Sequence, residues 1–227
     1  MCTSAVLTHL SGEERQENMK KTNVTKKLVL IAFMSALSYV LMMLHLPFKY
    51  LGFLEFEFSD IPAVVCTFAY GPIVGALIEI IKNLIKVITA STTGGVGELA
   101  NMVVSLGYVI PCGIIWKLTS RKPEIIKNKI RVKHETGKLI AAAAVGTVCF
   151  VVTGILINYF VTVPLYCKLF GGEEAVIGAC SATIPAIDSI AKVVVIGITP
   201  FNIVKGFAIS IIGICIYKPF KRILSMI

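Results

Sequence analysis

The most chemically distinctive part of this sequence is a polar, glycine-rich segment at residues 91–101, which reads Ser-Thr-Thr-Gly-Gly-Val-Gly-Glu-Leu-Ala-Asn and lies between two apolar runs. Three glycines in four residues allow positive φ angles and a close approach of the backbone to a ligand. Glu98 and Asn101 follow three residues apart, which places both on one face of a helix. Neither the Walker pattern nor Gly-x-Gly-x-x-Gly is matched. The segment is therefore either a ligand-binding loop or a flexible turn between two helices.

Charged side chains also interrupt the apolar run that precedes this segment. Glu79, Lys82 and Lys86 recur with i, i+3, i+7 spacing and so share one helix face. A charge at the centre of a bilayer costs roughly 2.5–3.5 kcal/mol on insertion scales, so this face should look into a bundle, a cavity or a subunit contact. The alternative is an internal Glu79–Lys82 ion pair, with Lys86 extending to the membrane surface.

A second polar pair lies near the other end of the chain. Asn202 and Lys205 are three residues apart and lie at the start of an apolar run. Their spacing places both on one helix face, which is expected to point to a pocket. The alternative is that Lys205 snorkels to the membrane surface.

The elements that must position these residues are apolar helices. The chain of 227 residues is 56 % hydrophobic and 15 % charged, whereas soluble domains have about 25 % charged residues. The apolar runs cover residues 28–46, 61–69, 72–90, 96–118, 139–167 and 199–217. Nineteen helical residues rise about 28 Å, close to the roughly 30 Å hydrocarbon core of a bilayer. The sequence therefore predicts an all-α integral membrane protein, a bundle of six transmembrane helices.

The segment between the last two runs is harder to assign. The fifth helix is expected to end near Pro164, because proline interrupts helices. Residues 168–199 are expected to form a mixed loop, in which 184–198 is at most a short interfacial piece. It carries Asp188 and Lys192, so it is not counted as a span.

The distribution of basic residues predicts the topology. Five Lys/Arg lie in residues 1–27, eight in 117–138 and three at the C-terminal end, against one in 47–58 and two in 168–199. Basic loops stay in the cytoplasm, so both termini and the 117–138 loop are expected there. This also accounts for the net charge of +9 without a nucleic-acid partner. Residues 1–27 are then a cytoplasmic tail and 28–222 the six-helix membrane domain, with the glycine-rich segment at its outer end.

Three segments together resemble a known family. They are Phe-Ser-Asp-Ile-Pro at 58–62, the Glu-x-x-Lys-Asn-x-x-Lys element that begins at Glu79 and leads into the glycine-rich segment, and Pro-Phe-Asn-x-x-Lys-Gly at 200–206. This combination resembles the riboflavin-specific substrate-binding subunit, or S-component, of energy-coupling factor (ECF) transporters, over about residues 28–222. The basic loop and the N-terminal tail lie outside these motifs.

The resemblance implies a multi-pass protein of the bacterial plasma membrane that binds riboflavin (vitamin B2) from outside. It implies no enzymatic activity and no cofactor, since riboflavin is the transported ligand. Transport would require a membrane coupling subunit (T-component) and two cytoplasmic ATPase subunits. The chain has no Walker lysine, in keeping with energy supplied by other chains.

The chemistry of riboflavin is compatible with the polar residues of these motifs. Its imide edge offers acceptor, donor and acceptor groups, which asparagine amides match, and lysine supplies donors for a ring carbonyl or hydroxyl oxygen. The ribityl hydroxyls suit Glu98, Thr92 and backbone groups of the glycine-rich segment. The expected substrate-binding residues are Thr92, Gly94, Gly95, Glu98, Asn101, Asn158, Asn202, Lys205, Lys82 and Leu44. The side chains expected to cover the ring are Leu44, Leu46, Phe53 and Phe56, although aromatic residues in such loops more often anchor the membrane interface.

The first apolar run carries a pair of small residues. Ala32 and Ala36 are four residues apart, and small residues let a second membrane helix approach closely. Spacing alone is compatible with internal packing or with a partner subunit. The pair matches the first-helix surface that the resembled family uses for its coupling subunit, so both residues are expected to bind that partner.

Three other functions compete with this interpretation. A membrane enzyme would need a catalytic constellation, but neither Asp-Asp-x-x-Asp nor His-Glu-x-x-His occurs. An autonomous secondary transporter would be indicated by two inverted repeats with broken helices, and no such repeat is evident. The nearest alternative is an S-component for a different vitamin.

Overall fold

The computed structural model describes residues 24–44, 49–120 and 135–224. Its helices are α1 (Val24–Met43), α2 (Ile61–Tyr70), α3 (Pro72–Ala90), α4 (Val96–Thr119), α5 (Glu135–Ile157), α6 (Val163–Leu169), α7 (Glu173–Ser181), α8 (Ile190–Lys192) and α9 (Thr199–Leu224). Strands β1 (Lys49–Tyr50) and β2 (Leu54–Glu55) form a small antiparallel hairpin. The predicted tail (1–27) and basic loop (117–138) lie mostly outside the described residues.

Four helical stretches in the described part of the chain are long and apolar enough to cross a membrane. They are Val24–Met43, Val96–Thr119, Glu135–Leu169 and Ile190–Lys221. Helix α3 has 19 residues but carries three charged side chains, and α2 has only 10 residues. The prediction of a mostly helical membrane protein is confirmed, while the count of six spans and the cytoplasmic termini remain predictions.

Two helices are longer than the sequence patterns predicted. A π-helical turn at Asn158–Thr162 joins α5 to α6, so the helix does not end near Pro164. That proline falls in the first turn of α6, where a missing N–H group is tolerated. A second π-helical turn, Val193–Ile198, joins α8 to α9, so residues from Ile190 onward belong to the last helix.

The helices bury two groups of apolar side chains, one on each side of an internal cavity. The larger group lies among α1–α5 and α9 and includes Val104, Tyr108 and Phe150. The smaller group lies where α6, α7 and the second π-helical turn meet the hairpin, and includes Leu51 and Tyr166. The space between them is lined by Val104 and Phe150 from the first group and by Tyr166 from the second.

The hairpin is fixed to the last helix by an unusual turn residue. Leu51 has a φ of 54°, which costs an L-residue about 1–2 kcal/mol, and its side chain is fully buried. The side chain packs against Gly197, where an added Cβ would lie 2.7 Å from Leu51 Cδ1. The lack of a side chain at Gly197 therefore makes room for Leu51 and holds the hairpin at the edge of the cavity.

Candidate functional site

A cavity of about 800 Å³, including the space at its mouth, lies between the hairpin and helices α1, α3–α6 and α9. Its polar lining residues are Glu55, Glu57, Lys86, Thr92, Thr93, Glu98, Asn101, Asn158, Thr162, Tyr166, Asn202 and Lys205. Its apolar lining includes Met42, Phe53, Leu54, Val104, Phe150 and Phe201. The wall therefore combines aromatic surface with a few convergent amide, hydroxyl and charged groups, as is typical of small-molecule sites.

The structure brings most of the predicted site residues to this cavity. Thr92, Glu98, Asn101, Asn158, Asn202 and Lys205 all line it. Phe53 lines it as well, whereas Phe56 instead makes edge contacts with Phe58 and Phe201. Leu46 lies outside the described residues.

Four residues of the predicted set do not line the cavity. Leu44 lies at the end of α1 with a side chain that is 66 % exposed. Lys82 is fully buried behind the cavity wall. Gly94 and Gly95 belong to the turn that carries Thr92 and Thr93 to the wall, but the wall itself does not include them.

The glycine-rich segment is a preformed turn that is closed by its own side chains. Gly94 and Gly95 have φ angles of 63° and 89°, which glycine adopts readily. The Gly95 N–H donates to Ser91 Oγ at 2.8 Å, and the Gly97 N–H donates to Thr93 Oγ1 at 3.0 Å. These N–H groups, which in other proteins bind phosphate at a helix start, are therefore already satisfied within the segment.

Glu98 occupies the position at the start of α4 where an external anion would otherwise bind. Ser91 Oγ and Thr93 Oγ1 each donate to Glu98 Oε2 at 3.0 Å. The carboxylate is 4 % exposed and lines the cavity. A negative charge is favourable at a helix N-terminus, so the segment, closed by its own hydrogen bonds, presents a hydrogen-bond acceptor to the cavity.

Lys205 points into the helix bundle. Its Nζ lies 3.2 Å from Asn101 Oδ1, 3.4 Å from Glu57 Oε1 and 3.2 Å from Asp60 Oδ2. The residue is 4 % exposed. Snorkelling to the membrane surface is therefore not what the structure shows: the ammonium group lies at the cavity wall, where it donates to Asn101 and Glu57 and forms an ion pair with Asp60.

Lys82 belongs to an ion-pair network behind that wall. Its Nζ contacts Asp60 Oδ1 at 2.5 Å, Ser59 Oγ at 2.8 Å and Glu79 Oε2 at 2.7 Å. The Glu79–Lys82 ion pair is therefore present, inside the bundle. The second part of that alternative does not hold, because Lys86 lines the cavity and pairs with Glu55 of the hairpin at 3.3 Å.

Two asparagines approach the cavity from the first π-helical turn and from α9. Asn158 lies in the first π-helical turn and donates through Nδ2 to the carbonyl of Gly154 at 2.7 Å. Asn202 is 6 % exposed, and its Nδ2 has no hydrogen-bond partner among the described residues. Gly154 permits this arrangement, since an added Cβ there would collide with Asn202 Nδ2. Asn202 thus contributes to the cavity wall, and its buried Nδ2 is a donor that the described residues leave unpaired.

Several lining residues were not assigned to the site from the sequence. Phe201 lies within the 200–206 motif, and Glu57 directly precedes the 58–62 motif. An acidic residue in a loop and an aromatic residue beside a proline are weak indications of a ligand site. Tyr166 was not considered for the site because the fifth helix was expected to end near Pro164, before this residue. Its ring makes an edge contact with Phe53 of the hairpin.

Ala32 and Ala36 lie on the outer face of α1. Both are exposed, whereas Ile31, Met34 and Ser35 point into the bundle. Internal packing against another described helix is therefore not their role in this structure. They leave a shallow apolar surface on α1, rimmed by exposed side chains such as Phe33.

Comparisons with known proteins agree with this architecture. The model of the family "ECF transporter, substrate-specific component" matches residues 26–217. The riboflavin transporter RibU of Staphylococcus aureus (strain TCH60) is 28 % identical over 214 residues, which cover 94 % of this chain and 98 % of that protein. The riboflavin transporter FmnP of Bacillus subtilis (strain 168) is 30 % identical over 202 residues, covering 86 % and 92 % respectively.

A solved structure, described as "Structure and mechanism of the S component of a bacterial ECF transporter", shares the fold with a TM-score of 0.61 and 29 % sequence identity. The match covers 88 % of this chain and 98 % of that one. With a family model that spans nearly all of the described helices, the chain belongs to the substrate-specific components of ECF transporters.

Proposed function

We propose that this protein binds riboflavin in the cavity and serves as the substrate-binding subunit of an ATP-driven ECF transporter in the bacterial plasma membrane. The observation that carries the proposal is the cavity itself, in which aromatic surface faces amide and ammonium groups from α4, α5 and α9. The names of the relatives in Staphylococcus aureus and Bacillus subtilis support the choice of vitamin.

The isoalloxazine ring of riboflavin requires apolar contact on its faces and hydrogen bonds at its imide edge. Phe53, Tyr166 and Phe201 provide aromatic surface. The unpartnered Nδ2 of Asn202 is suited to a ring carbonyl. Lys205 is the second donor, and its contacts of 3.2–3.4 Å are long enough for a ligand oxygen to replace one of them.

The ribityl chain requires partners that accept from hydroxyl groups. Glu98 and Thr92 line the cavity at the start of α4, and Glu98 is held in place by two hydroxyl donors. A carboxylate accepts hydrogen bonds from neutral hydroxyl groups without needing a counter-charge from the ligand. This end of the cavity therefore suits a polyol.

Transport would require other chains. We propose that the exposed surface of α1 around Ala32 and Ala36 contacts the T-component, and that two ATPase subunits bind that component in the cytoplasm. In this arrangement the bundle has six membrane-spanning helices with both termini in the cytoplasm. The lysine and arginine counts support this topology.

Purification of the full chain in detergent tests the substrate. The purified protein is expected to be yellow, and riboflavin fluorescence is expected to be quenched when the vitamin is titrated into ligand-free protein. Other B vitamins, titrated in parallel, serve as the control. Binding of another vitamin without any binding of riboflavin at micromolar concentration would show that the substrate assignment is wrong and that the protein is an S-component for that vitamin.

A further inference from the structure

Asp60 lies at the N-terminal end of α2 but does not cap that helix. It occupies the N-cap position, where aspartate commonly accepts a backbone N–H bond, yet its side chain makes no such bond. The residue is 3 % exposed and does not line the cavity. Its buried carboxylate therefore does not stabilise the start of α2, and its partners lie elsewhere in the fold.

The carboxylate of Asp60 joins three other helices. Oδ1 accepts from Lys82 of α3 at 2.5 Å and from Ser105 of α4 at 2.8 Å. Oδ2 lies 3.2 Å from Lys205 Nζ of α9. Two donors thus fix the orientation of the carboxyl group through one oxygen, and the other oxygen is presented to the lysine at the cavity wall.

The three side chains around the Lys205 ammonium group, two hydrogen-bond acceptors and the ion-pair partner Asp60, differ in whether a ligand can reach them. Glu57 and Asn101 line the cavity, so a bound molecule can replace or reorient their contacts with the ammonium group. Asp60 lies behind the wall, where a molecule in the cavity cannot take the place of its ion pair with Lys205. Among the contacts of Lys205 with the described residues, this is the one that a ligand cannot reach.

We propose that Asp60 is a positioning residue for substrate binding, which holds the charged Lys205 side chain at the cavity wall so that its N–H groups can be donated to the ligand. The proposal rests on the proposed function, in which Lys205 donates to an oxygen of riboflavin. Asp60 itself does not touch the ligand. Without its carboxylate, the ammonium group is left to Glu57 and Asn101, and the side chain is less well placed for donation.

Four proteins test this relationship by riboflavin titration: wild type, Asp60→Asn, Lys205→Met and the double variant. Asn is nearly isosteric with Asp and removes the charge. Asp60→Asn is expected to weaken binding on the order of tenfold, the effect of losing a charge-assisted contact. In the Lys205→Met background the same change is expected to have little further effect, because the group that Asp60 positions is gone.

A conservative variant separates positioning from packing. Asp60→Glu keeps the charge but adds a methylene group. If the charge positions Lys205, this variant is expected to bind riboflavin more tightly than Asp60→Asn does. If only packing matters, it is expected to bind riboflavin less tightly. Asp188→Asn is the matched control, because Asp188 forms an exposed ion pair with Lys192 away from the cavity. Its affinity is expected to equal that of the wild type.

Three results would overturn the proposal: wild-type affinity in Asp60→Asn, equal weakening by that change in both backgrounds, or weaker binding by Asp60→Glu than by Asp60→Asn.

If Asp60→Asn does not fold, Ser105→Ala, which removes only one donor to Asp60 Oδ1, takes its place and should show a smaller weakening with the same dependence on Lys205. If the wild type binds a different vitamin, the proposed substrate is wrong, and the same variants are compared with that vitamin.

Discussion

Lys205 and Asn202 approach the cavity from the same end of α9, but their side chains are held in different ways. Lys205 Nζ donates to Glu57 and Asn101 and forms an ion pair with Asp60, whereas Asn202 Nδ2 has no hydrogen-bond partner among the described residues. A buried donor without a partner is costly. Under the proposed function, a ligand acceptor would offset this cost at the asparagine, while the lysine would exchange one of its existing contacts.

Substitution of either side chain tests its part in binding. Lys205→Met and Asn202→Leu are each expected to weaken riboflavin affinity by roughly five- to 150-fold, because a buried ligand oxygen loses a donor at a cost of about 1–3 kcal/mol. Fluorescence titration of the purified variants measures the effect. If both side chains hold the same edge of the ligand, the double variant should lose less binding free energy than the two single variants lose together. Unchanged affinity in a well-folded Lys205→Met protein would remove Lys205 from the site.

The small residue at position 154 offers an independent test of Asn202. Gly154→Ala places a methyl group where it collides with Asn202 Nδ2, so the amide must move and binding is expected to weaken about fivefold or more. Gly137→Ala is the matched control, because Gly137 lies in the same helix and an added Cβ there meets no atom within 4 Å. Equal affinities of the two variants would argue against a role for the Asn202 amide.

At the scale of the elements, the hairpin and the first π-helical turn contribute to the cavity wall, and the second π-helical turn packs against the hairpin. Leu51 fills the notch at Gly197, and Tyr50 stacks on Phe201 with ring centroids 5.7 Å apart. These contacts hold Phe53 of the hairpin at the cavity wall. The first π-helical turn carries Asn158, and the second lies just before Asn202 in the chain. π-helical turns often occur at functional sites, so both positions are in keeping with a binding role.

Helix α1 has an inner and an outer face, and the two should differ in function. Ala32→Trp adds bulk to the outer face, so it is expected to abolish riboflavin uptake by cells but to leave binding by the isolated subunit intact, because only the close approach of a partner helix is blocked. Cellular uptake and fluorescence titration are measured on the same variant. Ile140→Trp, at an exposed position of α5, is the control and should leave uptake unchanged.

Loss of riboflavin binding in the isolated Ala32→Trp protein would instead show that α1 packs internally at this position. Normal uptake by that variant would show that the coupling subunit binds elsewhere.

At the scale of the whole molecule, the asymmetry of basic residues predicts an orientation in the membrane. Single cysteines at positions 128 and 174 (Asn128→Cys and Glu174→Cys), in a background without the native cysteines, report on the two sides of the bilayer. An impermeant thiol reagent added to intact cells should label position 174 and spare position 128, because the basic loop is expected in the cytoplasm. The reverse pattern would overturn the proposed topology.

Hydropathy, charge and helical spacing were sufficient to predict a membrane bundle with a polar site near the glycine-rich segment. Glu98, Asn101, Asn202 and Lys205 all line the cavity, and their contact with a substrate stays a prediction. Their polar helix faces could be recognised from the sequence because such faces depend on periodicity and on the cost of burying polar groups in lipid, which are properties of local sequence.

The pairing of groups from different helices could not be predicted in the same way. Lys82 and Lys205 are both buried lysines on polar helix faces, yet one is enclosed behind the wall and the other lines the cavity. Asp60, which the sequence showed only as part of the 58–62 motif, contacts both. Which lysine reaches the ligand depends on how α2, α3, α4 and α9 pack, because a contact between residues 60 and 205 exists only after these helices have assembled.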